Sequence, residues 1–367
     1  MSRFKLSVLV AVVTLSALIG LDASGHYAAA ETYNLSFTSV LADSAAQSKG
    51  VIAWAKELEK RTNGQVKIGQ MTWSGAILKP ANLLEGLRDG VVDVAFISNV
   101  YWPTKTPLSN ALQPVFLDDF AGVASIEMEL YNTVPEIRDE WLNWNVVPVA
   151  WFAGADQVLL SNFEFNKLED LKAKKIRAIG SAMPLAVKRW GGIPVAISSA
   201  DAYGALQKGT VDMISGFPAY ALVSNKMSEV SKQITNFRYG GWCMWFGIGM
   251  NADVYKKLPD SAKKVLAEIA PIAAQVETQA NYDDAVLGLK ESKKLGQRIV
   301  QLSPEEAARW QKVMDPTSVW EEGIVAAEKA GYKNARELMD RAVKMLNDYN
   351  AKNPRKTLIE QYFEIEK

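Results

Sequence analysis

Histidine and cysteine are almost absent from this 367-residue chain, which contains one of each, His26 and Cys243. A single thiol cannot form a disulfide within the chain, so the hydrophobic core alone must stabilise the fold. Neither charge sign is in excess, because 41 basic residues balance 41 acidic residues, and no long run of one sign occurs. Without a basic surface, the sequence indicates no nucleic-acid partner.

The sequence has one prominent apolar run, at residues 6–21. It follows Arg3 and Lys5 and precedes small residues that end in alanine at positions 28–30, which is typical of a secretory signal peptide. The run is shorter than the roughly 20 residues that a membrane-spanning helix needs. We therefore expect a signal peptide over residues 1–30, cleaved after about Ala30, and a periplasmic protein without a lipid anchor.

Removal of the signal peptide would also remove His26 and leave a mature chain without histidine. Imidazole is the usual catalytic base near neutral pH and a common ligand of zinc and haem. Its absence excludes His-dependent hydrolases and His-ligated metal sites, and no paired carboxylate motif offers another mechanism. The sequence predicts a protein that is not an enzyme and that uses no cofactor or metal.

Length and pattern together indicate two α/β domains. Strand-like runs such as Tyr33–Thr38 alternate with amphipathic helices such as residues 45–62, as in a parallel sheet covered by helices. A second alternating series over residues 175–214 predicts a second parallel sheet. The C-terminal part predicts helices only, including one over residues 261–295 that Pro271 should kink rather than end.

Several short segments together resemble a known family. Residues 166–177 read NKLEDLKAKKIR, and GGIPV at 191–195 and LQKGTVD at 206–212 follow them. An earlier segment, LLEGLRDGVVDVA, occupies residues 83–95. In this order and spacing the segments resemble the solute-binding proteins of tripartite ATP-independent periplasmic (TRAP) transporters, over roughly residues 33–340.

This resemblance implies a type II periplasmic-binding-protein fold, with two α/β lobes, a ligand cleft between them and a long lobe-spanning helix. Lobe I would comprise residues 31–154, completed by roughly 245–275, and lobe II residues 155–244. Residues 276–367 would form the spanning helix and C-terminal helices that pack on the lobes. The implied function is the capture of a small organic acid by a monomer that delivers it to the membrane permease subunits of a TRAP transporter.

Arg177 ends the KIR segment, where the resemblance implies an arginine that meets the ligand carboxylate. Guanidinium suits this role because its permanently charged, planar fork can bind a carboxylate through two hydrogen bonds. Asp156 stands where many relatives have a second arginine, so a second ligand carboxylate would meet repulsion. The resemblance therefore favours a monocarboxylate over a C4-dicarboxylate. An interdomain ion pair for Arg177 and solvent exposure for Asp156 are the alternative roles.

Other candidate ligand contacts are small, aromatic or polar residues that the resemblance places near the cleft. Gly216 leaves space and Phe217 offers an aromatic wall, which favours a bulkier or less polar ligand body, although core packing is an alternative role for Phe217. Ser98 and Tyr101 follow a predicted strand, at the end where open α/β sheets place ligands. Three tryptophans complete the set: Trp73, Trp102 and Trp242.

Two other functions remain open at this point. A periplasmic enzyme on the same scaffold would work through Asp156 and a neighbouring acid, and turnover of candidate acids would reveal it. A sensor partner would use the same binding lobes without a transporter. Neighbouring genes that encode a small and a large membrane subunit would favour transport over sensing.

Overall fold

The computed structural model describes residues 31–112, 122–152, 157–180, 182–236 and 245–353. The strands are β1 Tyr33–Thr38, β2 Val66–Thr72, β3 Val94–Ser98, β4 Val146–Trp151, β5 Gln157–Ser161, β6 Lys175–Arg177, β7 Ile193–Val195, β8 Met213–Pro218, β9 Gln233–Asn236, β10 Phe246–Asn251 and β11 Arg298–Gln301. None of the helices in these ranges is long and apolar enough to cross a membrane.

The described residues also form α-helices. They are α1 Ala46–Arg61, α2 Leu83–Arg88, α3 Pro107–Ala111, α4 Val123–Thr133, α5 Pro135–Leu142, α6 Ala182–Arg189, α7 Ala202–Gln207, α8 Ala221–Ser224, α9 Ala252–Lys257, α10 Asp260–Lys294, α11 Pro304–Met314, α12 Pro316–Lys329 and α13 Ala335–Lys352. Short 3-10 turns lie at Pro80–Asn82, Asn99–Tyr101, Leu168–Leu171 and Met227–Glu229.

The strands form two sheets, which define the two lobes. The sheet of lobe I has the order β2-β1-β3-β10-β4, and that of lobe II has the order β11-β9-β5-β8-β6-β7. In each sheet three strands pair in parallel, β2-β1-β3 in one and β7-β6-β8 in the other. The lobes therefore repeat one βαβ arrangement, as the two alternating series in the sequence predicted.

Both sheets are mixed, which corrects the expectation of two parallel sheets. Strand β10 runs antiparallel to β3 and β4, and β5 runs antiparallel to β8 and β9. The expectation was wrong because the hydrophobicity of a buried strand does not encode its direction. Strand β11 also pairs in parallel with β9, in a part of the chain where the sequence predicted helices only.

The long helix α10 connects the two hydrophobic cores. Ile269 and Ala273 pack with the buried side chains around the lobe I sheet. Further along, Ala285 and Leu289 pack with the buried side chains of lobe II. The helix spans Asp260–Lys294 and continues through Pro271, as the sequence predicted for residues 261–295.

The C-terminal helices pack on both lobes. Trp310 of α11 packs in lobe II beside Phe165 and Trp190, with ring centroids 6.0 and 5.4 Å away. Helix α13 packs in lobe I through apolar residues that include Leu338 and Leu346. In open α/β sheets of this kind, ligands bind at the carboxyl ends of the parallel strands.

Candidate functional site

A cavity of about 80 Å³ lies where strand ends of the two lobes meet. Lobe I lines it with side chains that include Gln47, Phe96, Ser98, Tyr101 and Phe246. Lobe II lines it with side chains that include Gln157, Arg177, Ser199, Phe217, Tyr220 and Asn225. Because both lobes contribute walls, a ligand in this cavity would contact both of them at once.

Arg177 is the last residue of β6 and is fully buried. Its Nε donates to the Ile197 carbonyl oxygen at 2.9 Å, and its Nη1 donates to the Ser215 carbonyl oxygen at 2.9 Å. Its guanidinium carbon lies 4.5 Å from the centre of the Phe217 ring, within the range of a cation–π interaction. These neutral partners fix the orientation of the guanidinium at the cavity wall.

A β-bulge in β8 allows this arrangement. Val158 pairs with Phe217 and Leu160 with Ile214, so Ser215 and Gly216 together face one residue of β5. Gly216 has a φ of 71°, a left-handed conformation that glycine adopts without steric cost. The bulge turns the Ser215 carbonyl towards Arg177, and the Ser215 hydroxyl donates to the Arg177 carbonyl oxygen. Gly216 thus suits the backbone geometry of the bulge.

Hydrogen bonds cross the cleft beside the cavity. The Tyr101 hydroxyl of lobe I lies 3.2 Å from the Ser199 hydroxyl of lobe II. The Gln47 side-chain Nε2 donates to the Tyr220 hydroxyl. These contacts, with the small cavity volume, describe a closed cleft.

Arg177 places a positive charge at the wall of the cavity. Among the lining residues within the described ranges, Arg177 is the only charged side chain, and the others are apolar or carry hydroxyl and amide groups. In those same ranges no group of three or more His, Cys, Asp or Glu residues is placed to hold a metal ion. Because Coulomb attraction is stronger in a poorly hydrated site than in water, this lining favours a small anion.

The structure brings five of the candidate residues together and leaves two elsewhere. Ser98, Tyr101, Arg177, Gly216 and Phe217 all line the cavity.

Two of the three tryptophans pack away from the described cavity lining. Trp73 packs against Phe37, with ring centroids 5.3 Å apart. Trp102 is buried in the lobe I core, where its indole N–H donates to the Pro80 carbonyl oxygen at 2.7 Å. Asp156, Trp242 and Cys243 lie outside the described residues.

Sequence reasoning missed several polar lining residues. Gln47 is the second residue of α1, the helix that follows β1, and Gln157 is the first residue of β5. Ser199 and Tyr220 follow β7 and β8. Their common signal is a polar side chain next to a predicted strand end or in the first turn of the next helix, which is where open α/β sheets bind ligands.

Comparison with known proteins places the fold and the family. Residues 37–322 match the bacterial extracellular solute-binding proteins, family 7. A curated solute-binding protein from Albidiferax ferrireducens is 24% identical over 270 residues, which are 72% of this chain and 78% of that protein.

Two solved structures of TRAP periplasmic solute-binding proteins are similar in fold. One, from Desulfovibrio salexigens with bound orotic acid, has a TM-score of 0.73 at 18% identity and covers 86% of this chain and 100% of that chain. Another, from Ralstonia eutropha with bound (S)-2-acetolactate, has a TM-score of 0.70 at 22% identity and covers 85% and 99%. The likeness confirms the expected type II fold of two α/β lobes with a long helix, and the family match over most of its length means that this chain belongs to the family 7 bacterial extracellular solute-binding proteins.

Proposed function

We propose that this solute-binding protein captures a compact monocarboxylate in the cavity between its lobes and delivers it to the membrane subunits of a TRAP transporter. The observation that carries the proposal is the buried Arg177 guanidinium in a cavity whose other described lining groups are neutral. The family match gives no support to the alternative of a periplasmic enzyme.

The environment of Arg177 suits a carboxylate. A guanidinium has five N–H donors in a planar fork, and the carbonyls of Ile197 and Ser215 accept from two of those of Arg177 and orient its plane. A ligand carboxylate would supply negative charge to this site and accept charge-assisted hydrogen bonds, which are about twice as strong as neutral ones.

The cavity volume supports a compact ligand. A cavity of about 80 Å³ is small beside typical ligand pockets, which measure about 300–1,000 Å³. This favours a smaller acid than the bulkier ligand body that Gly216 and Phe217 suggested from the sequence. The aromatic rings of Phe96, Phe217 and Phe246 would pack against its carbon atoms.

The relatives bind ligands of the same chemical kind. The Desulfovibrio salexigens protein holds orotic acid, and a TRAP protein from Roseobacter denitrificans with 18% identity and a TM-score of 0.70 holds β-D-glucuronate. Each of these ligands has one carboxylate group. They support an acid as the ligand class, while Asp156, outside the described residues, remains the sequence-based reason to expect a single carboxylate.

A thermal-shift screen of matched monocarboxylates, dicarboxylates, amides and amines, followed by calorimetry on the acids that shift the melting temperature, would test this proposal. A ligand at 100 times its dissociation constant should stabilise the protein by about 2.7 kcal/mol. We expect short monocarboxylates to raise the melting temperature and their amides to have no effect. Stabilisation by amines or amides alone would contradict the proposal, as would the absence of any acid that binds.

Small-angle scattering on the same samples would test closure. A ligand held by both lobes gains contacts from each only in the closed form, so binding should reduce the radius of gyration. An unchanged radius at saturation would contradict ligand-driven closure.

A further inference from the structure

We infer that the ligand is a short hydroxy acid, whose hydroxyl group donates a hydrogen bond to the side-chain oxygen of Gln47. This inference rests on the proposed binding of an acid in the same cavity. It concerns a second group of the ligand and the residue that recognises it.

Gln47 is placed at the cavity by the start of α1. It is the second residue of that helix, lines the cavity and is only 5% exposed. Its Nε2 donates to the Tyr220 hydroxyl across the cleft, which directs the two ends of the amide to different partners. Within the described part of the chain, its Oε1 is buried and accepts no hydrogen bond.

A buried acceptor without a donor is costly. Such a group gives up its hydrogen bonds to water and gains none in return, so native proteins contain few of them. The cost is removed when a ligand brings a donor into the cavity. Because Gln47 lines the proposed binding cavity, its Oε1 selects for a ligand with an O–H or N–H group.

The donor must be a group other than the ligand carboxylate. An ionised carboxylate only accepts hydrogen bonds, and so does a keto oxygen. An ammonium group could donate, but it would place a second positive charge beside Arg177 in a cavity without a described carboxylate. A hydroxyl group donates without adding charge, so it is the donor that fits the site.

The cavity volume limits how far the hydroxyl lies from the carboxylate. Because the cavity measures only about 80 Å³, the two groups must be separated by only a few bonds. The hydroxyls of Ser98, Tyr101 and Ser199 can donate or accept, so they would tolerate hydroxy and oxo acids alike. Gln47 Oε1 can only accept, so a ligand group that meets it must be a donor, which favours a hydroxy acid over an oxo acid.

Calorimetry with matched acids of three to six carbons would test the inference. Each set contains a 2-hydroxy acid, the 2-oxo acid and the acid without either oxygen, and 3-hydroxybutanoate is added to the four-carbon set. We expect a hydroxy acid in at least one set to bind at least tenfold more tightly than both of its partners.

The outcomes separate this inference from the proposed function. If acids bind but the 2-oxo or unsubstituted acid binds as tightly as the hydroxy acids, the hydroxyl inference is wrong and the proposed function stands. A preference for the oxo acid would mean that Gln47 presents its N–H group to the ligand. If none of the acids binds, both the inference and the proposed function fail.

Two variants test whether Gln47 causes the preference for hydroxy acids. Gln47→Met has a similar volume but no amide, so it should bind hydroxy and unsubstituted acids with equal affinity. The control, Tyr220→Phe, removes the partner of Nε2 but keeps Oε1, so it should bind more weakly while preserving the preference for the hydroxy acid. Unliganded melting temperatures check that both variants fold. An unchanged preference in Gln47→Met would overturn the assignment.

Discussion

The two lobes bury charged side chains in different places. Lobe II buries Arg177 at the end of a parallel strand, where it faces the cavity. Lobe I buries Glu127 of α4 and Glu140 of α5 in its helical layer, outside the described cavity lining. Burial of a charged residue therefore does not by itself mark a binding site, and the position relative to the strand ends is what distinguishes these residues.

The buried carboxyl groups of lobe I accept hydrogen bonds from backbone amides. Glu140 accepts hydrogen bonds from the amides of Leu108 and Ser109, 2.7 and 2.9 Å away, at the first turn of α3. Burial raises its pKa to about 7 although these donors favour the ionised form. Burial also raises the pKa of Glu127 well above its usual value, and Glu127 accepts a hydrogen bond from the Trp245 amide.

The largest expected effect is on binding, in lobe II. Arg177→Ala should weaken binding of the acid found in the screen by about two to three and a half orders of magnitude, since removing one partner of a buried ion pair typically costs about 3–5 kcal/mol. Arg177→Lys should recover part of the affinity, because it restores the charge but not the planar fork. Affinity is measured by calorimetry and unliganded stability by thermal melts. If the variants have lower unliganded stability but near-normal ligand affinity, Arg177 stabilises the fold and does not bind the ligand.

In lobe I, the titration of Glu140 should change the stability of the protein and leave ligand binding unchanged. Below pH 4.5 Glu140 is protonated in both states, and between pH 4.5 and about 7 it ionises in the unfolded chain first. The free energy of unfolding should therefore fall as pH rises, by about 2 kcal/mol between about pH 5 and 7.5, at roughly 1.4 kcal/mol per pKa unit.

Glu140→Gln removes this titration. The variant should be less stable by about 1–3 kcal/mol at about pH 5, because an amide nitrogen cannot accept from the α3 amides. At about pH 7.5 the difference in free energy of unfolding between wild type and variant should be smaller by about 2 kcal/mol. Urea unfolding at both pH values measures the free energy of unfolding of both proteins. Unchanged ligand affinity of the variant is the control. Parallel pH curves for variant and wild type would contradict the raised pKa.

The two lobes also differ in how closely their helices pack around a glycine, and the expected effect on stability is smaller. A Cβ at Gly50 of α1 would lie 2.9 Å from the Ala273 carbonyl oxygen and 2.9 Å from Glu277 Cβ on α10, so Gly50→Ala should destabilise the protein by about 1–3 kcal/mol. At Gly204 of α7 in lobe II a Cβ meets nothing within 4 Å. Gly204→Ala is therefore the matched control and should stabilise by about 0.5–1 kcal/mol. Equal effects of both changes would contradict the close approach of α1 to α10.

The smallest expected effect concerns the hydrogen bond between Tyr101 and Ser199 across the cleft. Tyr101→Phe should weaken ligand binding by roughly two- to tenfold, since a typical hydrogen bond contributes about 0.5–1.5 kcal/mol. Calorimetry with the acid from the screen measures it. Unliganded stability should change little, because the contact joins the lobes rather than a core. An unchanged affinity would mean that this contact does not hold the closed form.

The sequence by itself predicted the alternation of strands and helices, the two α/β lobes and the long helix through Pro271. These features follow from hydrophobic periodicity, which depends on residues close together in the chain. It also identified Arg177, Ser98, Tyr101, Gly216 and Phe217 as candidates, because they lie in the segments that resemble the family or at predicted strand ends.

Only the tertiary structure decided how distant segments pair. The antiparallel insertion of β5 and β10 and the addition of β11 depend on partners far away in the chain, so local pattern does not specify them. The same holds for Trp102, which tertiary packing places in a core, and for Gln47, which it places opposite Tyr220. A side chain's type limits the hydrogen bonds it can make, whereas the surrounding lobes decide which of those bonds are left for a ligand.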